Sequence, residues 1–376
     1  MSRNKAHGSQ AAERLTAAGH PCIHNRMTNS NAVRFSLFLL LFGYCAGFAG
    51  ENFAADKLRI SYSAVNATQA FLWVAQEKGI FAKHGLDAKI VMYQSGPEMI
   101  NGLLNGQQDV NIMGSIPFLA GVSRGQPLVL IGHLHGDATR QYYADNNSIV
   151  ATPASGIREK DIKALAGKKI GLPRGTGAEG YLLGVLAENG MKVGDLTLIN
   201  LQPSSQVSAL AQGQVDAIAA WEPWATSAVA RVPGAVRVTS GGCQGCYDPG
   251  SILTTRDTIQ KNAEALRRFM VAFAEAEQWV RQNFDQAAEI NTRWVTGVDL
   301  DIMKQAIRRS NYDLRLSRNT LEGYEKKAIP LLVADKRMAA SIDPATVVDA
   351  QFCKYVETSF PQFFSDLPPI PADRRL

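Results

Sequence analysis

One sequence pattern occurs twice in this chain, about one lobe-length apart. Its copies are LLNGQQDVNIMGSIP (103–117) and LAQGQVDAIAAWEP (210–223), which share Gly-Gln-x-Asp, an apolar run and a proline. Each copy reads as a helix that ends at glycine, an aspartate turn, a buried strand, and a new helix with proline in its first turn. A single copy could arise by chance, but two copies in the same order predict two similar α/β lobes.

Short apolar runs of strand type alternate with helical segments from Leu58 onwards. The predicted strands cover residues 58–63, 88–94, 109–114, 128–134, 148–152, 168–173, 196–202, 215–221, 235–241 and 250–255. Strands separated by helices indicate βαβ units, with mostly parallel sheets and helices on both faces. The last strand is expected to return the chain to the earlier sheet, and the region from Asp257 is predicted to be helical.

The first 49 residues are predicted to be a leader and signal peptide. Arg34 precedes FSLFLLLFGYCAGFAG (35–50), an apolar run followed by small residues, which is typical of an export signal. Met27 is read as the start of translation, because residues 1–26 are polar and would delay the signal. The chain is therefore expected to be exported.

The charge of the chain gives no support for nucleic-acid binding. Its formal net charge is +5, but residues 1–49 hold five basic side chains and one acidic one, which account for four of these charges. The exported part is close to neutral, so no nucleic-acid partner is predicted.

The cysteines leave one question open. Cys22 and Cys45 belong to the leader, Cys353 stands alone, and Cys243 and Cys246 form the sequence CQGC. In an oxidising compartment this pair can close a disulfide, and the alternative is two free thiols. A metal site would need a second pair of ligands, so no metal and no cofactor are predicted.

The repeated strands also predict where a ligand binds. In open parallel sheets, ligands lie outside the carboxyl ends of the strands. The segments that follow the repeated strands are GSIP (114–117) and WEPW (221–224). If the two lobes face each other, both segments line one cleft, and Asn66 and Gln69, which follow the first strand, are further polar candidates.

A glycine-rich turn lies between a predicted strand and helix in GLPRGTGAEGYLL (171–183). The start of such a helix presents free backbone N–H groups and a positive dipole end, which favour an anion. The segment lacks the Lys-Ser/Thr of a nucleotide-binding P-loop and the full GxGxxG spacing, so no nucleotide is expected. Thr176 can cap the helix or contact the ligand.

Each other candidate also has a structural interpretation. Ser115 can be a helix N-cap, and Trp221 can be part of the core. Glu222 either lies at the positive end of the helix that follows it or receives a cationic group of the ligand. His133 and His135, at the end of a strand, are predicted to lie at a hinge or at the cleft rim. The chain has no GxSxG, HExxH or Cys-His arrangement, so it is expected not to be an enzyme.

Several motifs in series resemble a known family. They are AQEKGIFAKHGLDAKIV (75–91), LLNGQQDVNIMGSIPFLAGVSRG (103–125), LAGKKIGLPRGT (165–176) and LINLQPSSQVSALAQGQVDAIAAWEPW (198–224). In this order they resemble the periplasmic substrate-binding proteins of ABC importers, in the nitrate/sulfonate/taurine group. The resemblance covers roughly residues 57–290.

The resemblance implies a fold and a domain organisation. The fold is a two-lobed periplasmic binding protein of type II, in which two crossover strands join the lobes and closure of the cleft traps the ligand. Lobe 1 would comprise residues 57–138 plus 249–376, and lobe 2 residues 139–248. The protein would be a monomeric periplasmic receptor that delivers a small molecule to a permease in the inner membrane.

The resemblance also implies ligand contacts by position. They are Asn66, Gln69, Gly114, Ser115, Gly175, Thr176, Gly177, Ala178, Glu179, Trp221 and Glu222. An aliphatic sulfonate or a taurine-like zwitterion is the expected ligand, because an amine would pair with Glu222 or Glu179. Nitrate, bicarbonate, a thiamine-precursor pyrimidine or another aromatic is the alternative. The related pyrimidine-precursor synthases are a rival from the enzyme class, but CQGC does not reproduce their cysteine-rich iron motif.

Overall fold

The computed structural model describes residues 55–63, 66–93 and 96–376. The predicted leader and signal peptide, residues 1–49, lies outside the described residues, as do Cys22 and Cys45. The strands are β1 (Asp56–Ser63), β2 (Leu86–Tyr93), β3 (Val110–Met113), β4 (Leu128–Gly132), β5 (Asn147–Ala151), β6 (Lys169–Leu172), β7 (Thr197–Asn200), β8 (Ala217–Trp221), β9 (Val236–Ser240) and β10 (Ser251–Thr255).

These strands form two five-stranded sheets. Sheet A has the order β2-β1-β3-β10-β4, and sheet B has the order β7-β6-β8-β5-β9. Four strands of each sheet are parallel to one another. The fifth, β10 in sheet A and β5 in sheet B, is antiparallel to both of its neighbours. The chain thus enters sheet B through β5 and returns to sheet A through β10, which confirms the two-lobed α/β fold with mostly parallel sheets.

The helices pack on the faces of these sheets. They are α1 (Ala70–Glu77), α2 (Ile80–Lys83), α3 (Gly96–Leu104), α4 (Ser115–Val122), α5 (Gly177–Glu188), α6 (Pro203–Ala211), α7 (Trp224–Arg231), α8 (Arg256–Gln282), α9 (Phe284–Trp294), α10 (Leu300–Ile307), α11 (Arg318–Gly323), α12 (Ile329–Ala334) and α13 (Gln351–Ser359). A π-helical turn, Tyr324–Ala328, joins α11 to α12.

In the helical region after β10, helix α8 packs against sheet A. Its apolar stripe, which includes Leu266, Phe269 and Phe273, is buried, and Phe273 contacts Phe71 of α1 with ring centroids 3.9 Å apart. Burial of each such side chain stabilises the fold by about 1.5–3 kcal/mol. The predicted strands and the helical C-terminal region are therefore confirmed, with strand boundaries shifted by at most two residues.

The glycines of the repeated pattern end helices α3 and α6 in the same way. Gly106 and Gly213 have left-handed φ angles of 67° and 68°. The N–H groups of the next residues, Gln107 and Gln214, donate to the carbonyls five residues earlier, at N···O distances of 2.8 and 3.0 Å. This hydrogen bond is characteristic of a helix that ends at a left-handed glycine, a conformation glycine adopts without the cost of a Cβ.

The aspartates of the repeated pattern fasten each repeated strand to the strand beside it. Asp109 donates its N–H to the carbonyl of Arg59 in β1 at 2.9 Å, and its Oδ2 accepts the N–H of Arg59 at 2.8 Å. Asp216 makes the same pair of hydrogen bonds with Lys169 in β6, at 2.9 and 2.8 Å. The repeat in the sequence is therefore a repeat in backbone geometry.

Cys243 and Cys246 form a disulfide, which decides the question that the sequence leaves open. The bridge packs against α5 at Gly184, where an added Cβ would overlap Sγ of Cys246 and lie 3.0 Å from Sγ of Cys243. It therefore holds the loop that follows β9 against α5. This loop leads directly to Asp248, two residues beyond the bridge.

Candidate functional site

A cavity of about 210 Å³ lies where the carboxyl ends of strands from both sheets meet. An apolar cavity of about 150 Å³ can hold benzene, so this one has room for a small organic molecule. Seven predicted site residues line it: Asn66, Gln69, Gly114, Gly175, Thr176, Gly177 and Trp221. They come from strand ends, turns and helix starts of both sheets, so the structure brings the two segments at the ends of the repeated strands together around one space.

The helix starts of α4 and α5 lie beside each other at this cavity. Gly114 precedes α4 and Gly177 begins α5, and a Cβ at Gly114 would lie 3.6 Å from the backbone N of Gly177. Thr176 precedes α5 but makes no side-chain cap; its Oγ1 donates to the carbonyl of Pro173 at 2.7 Å. Thr176 therefore does not cap α5 through its side chain; it lines the cavity, and its contact with a ligand stays a prediction.

Ser115 is fully buried and does not line the cavity. Its hydroxyl lies 3.1 Å from the hydroxyl of Tyr324 and accepts from Ser251 at 3.3 Å. Its backbone N–H donates to Oδ1 of Asp248 at 2.8 Å. The side chain thus belongs to a buried polar cluster, and only its N–H points toward a lining residue of the cavity.

Glu179 and its neighbour Ala178 are buried in α5 and do not line the cavity either. The carboxylate of Glu179 lies 2.5 Å from Nε of Arg174 and 2.6 Å from a guanidinium nitrogen of Arg337. It also accepts the N–H of Gly175 at 2.6 Å. This carboxylate is paired inside the protein, so it is not placed to receive an amine of the ligand.

Glu222 shows the same arrangement in the segment after β8. Its buried carboxylate lies 3.0 Å from Arg237 and 3.6 Å from Arg309, and it accepts the N–H of Thr226 in the first turn of α7 at 3.0 Å. Of the two roles considered for Glu222, this is the role at a helix start. Trp221 beside it lines the cavity, whereas Trp224 is buried in α7.

Several lining residues were not predicted from the sequence. They carry carboxamide or charged side chains, and they are Asn146, Asn147, Asn200, Gln202, Arg174 and Asp248. Asn200 ends β7 and Gln202 follows it, so the rule that ligands lie at the carboxyl ends of strands could have found them. Nothing in the local sequence marks Asp248, because its place depends on how the chain crosses from sheet B back to sheet A.

The two histidines at the end of β4 lie at this crossing. The N–H of His135 donates to the carbonyl of Pro249 at 2.9 Å, and the ring of His135 lines the cavity. Burial lowers the pKa of the His133 imidazole to about 4 and that of His135 to about 3. Both rings are therefore neutral at pH 7. Within the described ranges no cluster of three or more His, Cys, Asp or Glu side chains could hold a metal ion.

In the part of the chain that the structure describes, no helix is both long and apolar enough to span a bilayer.

Comparisons with known proteins agree with this geometry. The family model described as "NMT1/THI5 like" matches residues 66–287. The chain is 27% identical over 322 residues to a Bacillus subtilis (strain 168) protein that is named as an aliphatic sulfonates-binding protein. The matched region covers 85% of this chain and 93% of that protein.

Solved structures show the same fold. The alkanesulfonate-binding protein SsuA from Xanthomonas axonopodis pv. citri, bound to MOPS, superposes with a TM-score of 0.67 at 21% identity, covering 78% of this chain and 98% of that one. The periplasmic nitrate-binding protein NrtA from Synechocystis PCC 6803 gives a TM-score of 0.67 at 16% identity, covering 84% and 91%. These relatives and neighbours are binding proteins rather than enzymes.

Proposed function

The chain belongs to the NMT1/THI5-like family, and from that premise we propose that it is the solute-binding component of an ABC importer. The observation that carries the proposal is the cavity itself. Gly114 of the sheet A half and Gly177 and Trp221 of the sheet B half line one space of about 210 Å³. A ligand bound there touches both halves, so its binding energy favours the closed arrangement that a permease would recognise.

The proposed lobes follow the crossing strands. Lobe 1 comprises residues 57–138 plus 249–376, and lobe 2 comprises residues 139–248. The support is that β5 and β10 each lie just after one of these boundaries and carry the chain from one sheet to the other.

The proposed ligand is a small organic sulfonate with an amine, of the taurine type. Arg174 and Asn200 line the cavity, and a guanidinium and a carboxamide suit a sulfonate, although the guanidinium also pairs with Glu179. Trp221 in the lining favours a second candidate class, a flat aromatic such as a pyrimidine, because an indole can stack on such a ring.

The cellular setting of the proposal comes from the relatives and from the N-terminal sequence. The neighbours named as periplasmic support a periplasmic location, and the predicted signal peptide in residues 1–49 would provide export. The partner is then an inner-membrane ABC permease. The protein is proposed to act as a monomer, without a cofactor and without nucleic acid.

A thermal-shift screen of the exported chain tests the proposal. The ligands are taurine, alkane- and arylsulfonates, nitrate, bicarbonate and pyrimidines. A ligand at 100 times its Kd should stabilise the folded state by about 2.7 kcal/mol. We expect the largest shift with taurine or another aminosulfonate.

Two cleft variants identify the site of that shift. Trp221→Ala and Thr176→Ala should abolish it, because both residues line the cavity. Trp294→Ala is the matched control, because this exposed tryptophan of α9 is not a lining residue. Unchanged shifts in both cleft variants would show that the ligand binds elsewhere.

A further inference from the structure

We propose that Asp248 determines the ligand specificity of the cleft. Its carboxylate occupies the position between the starts of α4 and α5 where an oxyanion would otherwise bind. The cleft therefore receives an N–H-donating, cationic end of the ligand at this point and rejects ligands whose only polar group is an anion. The inference rests on the proposed solute-binding function and names the ligand chemistry at one end of that site.

The position of the carboxylate is fixed from both halves of the molecule. Oδ1 of Asp248 accepts the N–H of Ser115, the first residue of α4, at 2.8 Å. A Cβ at Gly177, the first residue of α5, would overlap Oδ2, and a Cβ at Gly114 would lie 3.9 Å from each carboxylate oxygen. Two helix starts with free N–H groups form a natural anion site, and the chain's own carboxylate fills it.

The charge of Asp248 is not neutralised in the way that the charges of Glu179 and Glu222 are. Asp248 is the one acidic residue among the described residues that line the cavity. Burial raises the pKa of its carboxyl, and hydrogen bonds from Ser115 and from the backbone N–H of Gly250 offset this only in part. No cationic side chain is among these influences and the residue lines the cavity, so a cationic group of the ligand at this point stabilises the charged carboxylate.

An independent observation at the cavity also indicates a donor on the ligand. Asn147 is 1% exposed and lines the cavity. Its Nδ2 donates to Asn146 at 3.0 Å, and its Oδ1 has no hydrogen-bond partner among the described residues. A buried acceptor left unmatched is costly. A small change in the Asn147 side chain on ligand binding would let an N–H group of the ligand donate to this oxygen, whereas an anion could not satisfy it.

The position of Asp248 is tested without any assumption about the transported ligand. Asp248→Ala leaves the two helix starts without their anion, so sodium formate or nitrate should raise its melting temperature well above the value in sodium chloride of equal ionic strength. The parent protein should show no such difference. Asp216→Ala is the matched control, because it also removes a carboxylate that accepts a backbone N–H, but away from the cleft lining. If formate stabilises Asp248→Ala no more than the parent, the inference is overturned.

The effect on specificity is tested with a matched ligand pair, taurine and ethanesulfonate, by titration calorimetry. The parent protein should bind taurine at least tenfold more tightly. Asp248→Asn, which keeps the shape and removes the charge, should lose this preference. Equal affinity of the parent for both ligands, or an unchanged preference in Asp248→Asn, contradicts the inference. If the parent binds neither, the proposed aminosulfonate ligand is wrong, and the formate experiment still decides whether Asp248 fills the anion position.

Discussion

After β3 the chain passes directly into α4, whose first N–H, that of Ser115, is bound by Asp248 from a distant part of the sequence. After β8 it passes through Glu222 into α7, and there the carboxylate of Glu222 itself accepts the N–H of Thr226. The two copies of the repeated pattern thus share their turns and strands but satisfy the following helix start in different ways. One copy draws on the other half of the molecule, and the other copy is locally complete.

This difference separates a helix start that is completed by a nearby side chain from one that lies at the cavity. In the second copy, the charge of Glu222 is used within the protein, where it pairs with Arg237 and Arg309. In the first copy, the helix start contributes to the wall of the cavity and is joined there by an acid from the crossing loop. Similar sequences therefore need not carry similar functional side chains, because the backbone repeat does not determine where each side chain finds its partner.

The largest effect is expected from Glu222→Ala. Removing the carboxylate leaves Arg237, whose side chain is 16% exposed, without its partner. Breaking a buried pair in this way costs about 3–5 kcal/mol of unfolding free energy, which urea denaturation measures. Asp257→Ala, which breaks an exposed pair with Lys261, should cost no more than about 1 kcal/mol. A loss below about 1 kcal/mol for Glu222→Ala would show that the second copy does not depend on this charge.

The next largest effect is a loss of unfolding free energy at low pH, which we expect to come from the half that contains sheet A. Residues 139–248 contain no histidine, whereas His133 and His135 lie at the end of β4. Their folded pKa values of about 4 and about 3 lie below the unfolded value of about 6.5, so below pH 6.5 the unfolded chain binds more protons. Stability therefore falls as the pH falls, by about 2 kcal/mol for each histidine at pH 5.

Urea denaturation at pH 7 and pH 5 measures this dependence. His133→Asn combined with His135→Asn should flatten the profile over this range, because asparagine does not titrate. A double variant with the same loss of stability as the parent would place the acid sensitivity in other groups, such as the carboxylates of either half.

The smallest effect compares the two glycines at the helix starts. An added Cβ at Gly177 overlaps Oδ2 of Asp248, whereas at Gly114 its nearest neighbour is the backbone N of Gly177, at 3.6 Å. Gly177→Ala should cost about 1–3 kcal/mol by overpacking and weaken ligand binding. Gly114→Ala should change the unfolding free energy by less than about 0.5 kcal/mol. Equal effects in thermal unfolding and ligand titration would mean that the carboxylate of Asp248 is free to move.

Much of the fold could be predicted because it depends on local patterns. All ten strands, the helical stripe of Leu266, Phe269 and Phe273, and the turns at Gly106 and Gly213 are encoded by the periodicity of apolar residues and by the backbone freedom of glycine. The same patterns locate the ends of the strands, and so they predict seven of the residues that line the cavity.

The pairing of the charged side chains could not be predicted. Glu179 meets Arg337, Glu222 meets Arg309, and Asp248 meets the N–H of Ser115, each across a long stretch of sequence. The sequence leaves Glu222 two roles, at a helix start or toward a cationic group of the ligand; Glu179 is a ligand contact only by resemblance to the family, and nothing marks Asp248. The sequence by itself determined the strands, the helices and the sheet edges at which the cavity lies, because hydrophobic periodicity acts over a few neighbouring residues. Only the tertiary structure decided which carboxylate lines the cavity, because a buried charge is neutralised by whichever partner the fold brings within a few ångströms.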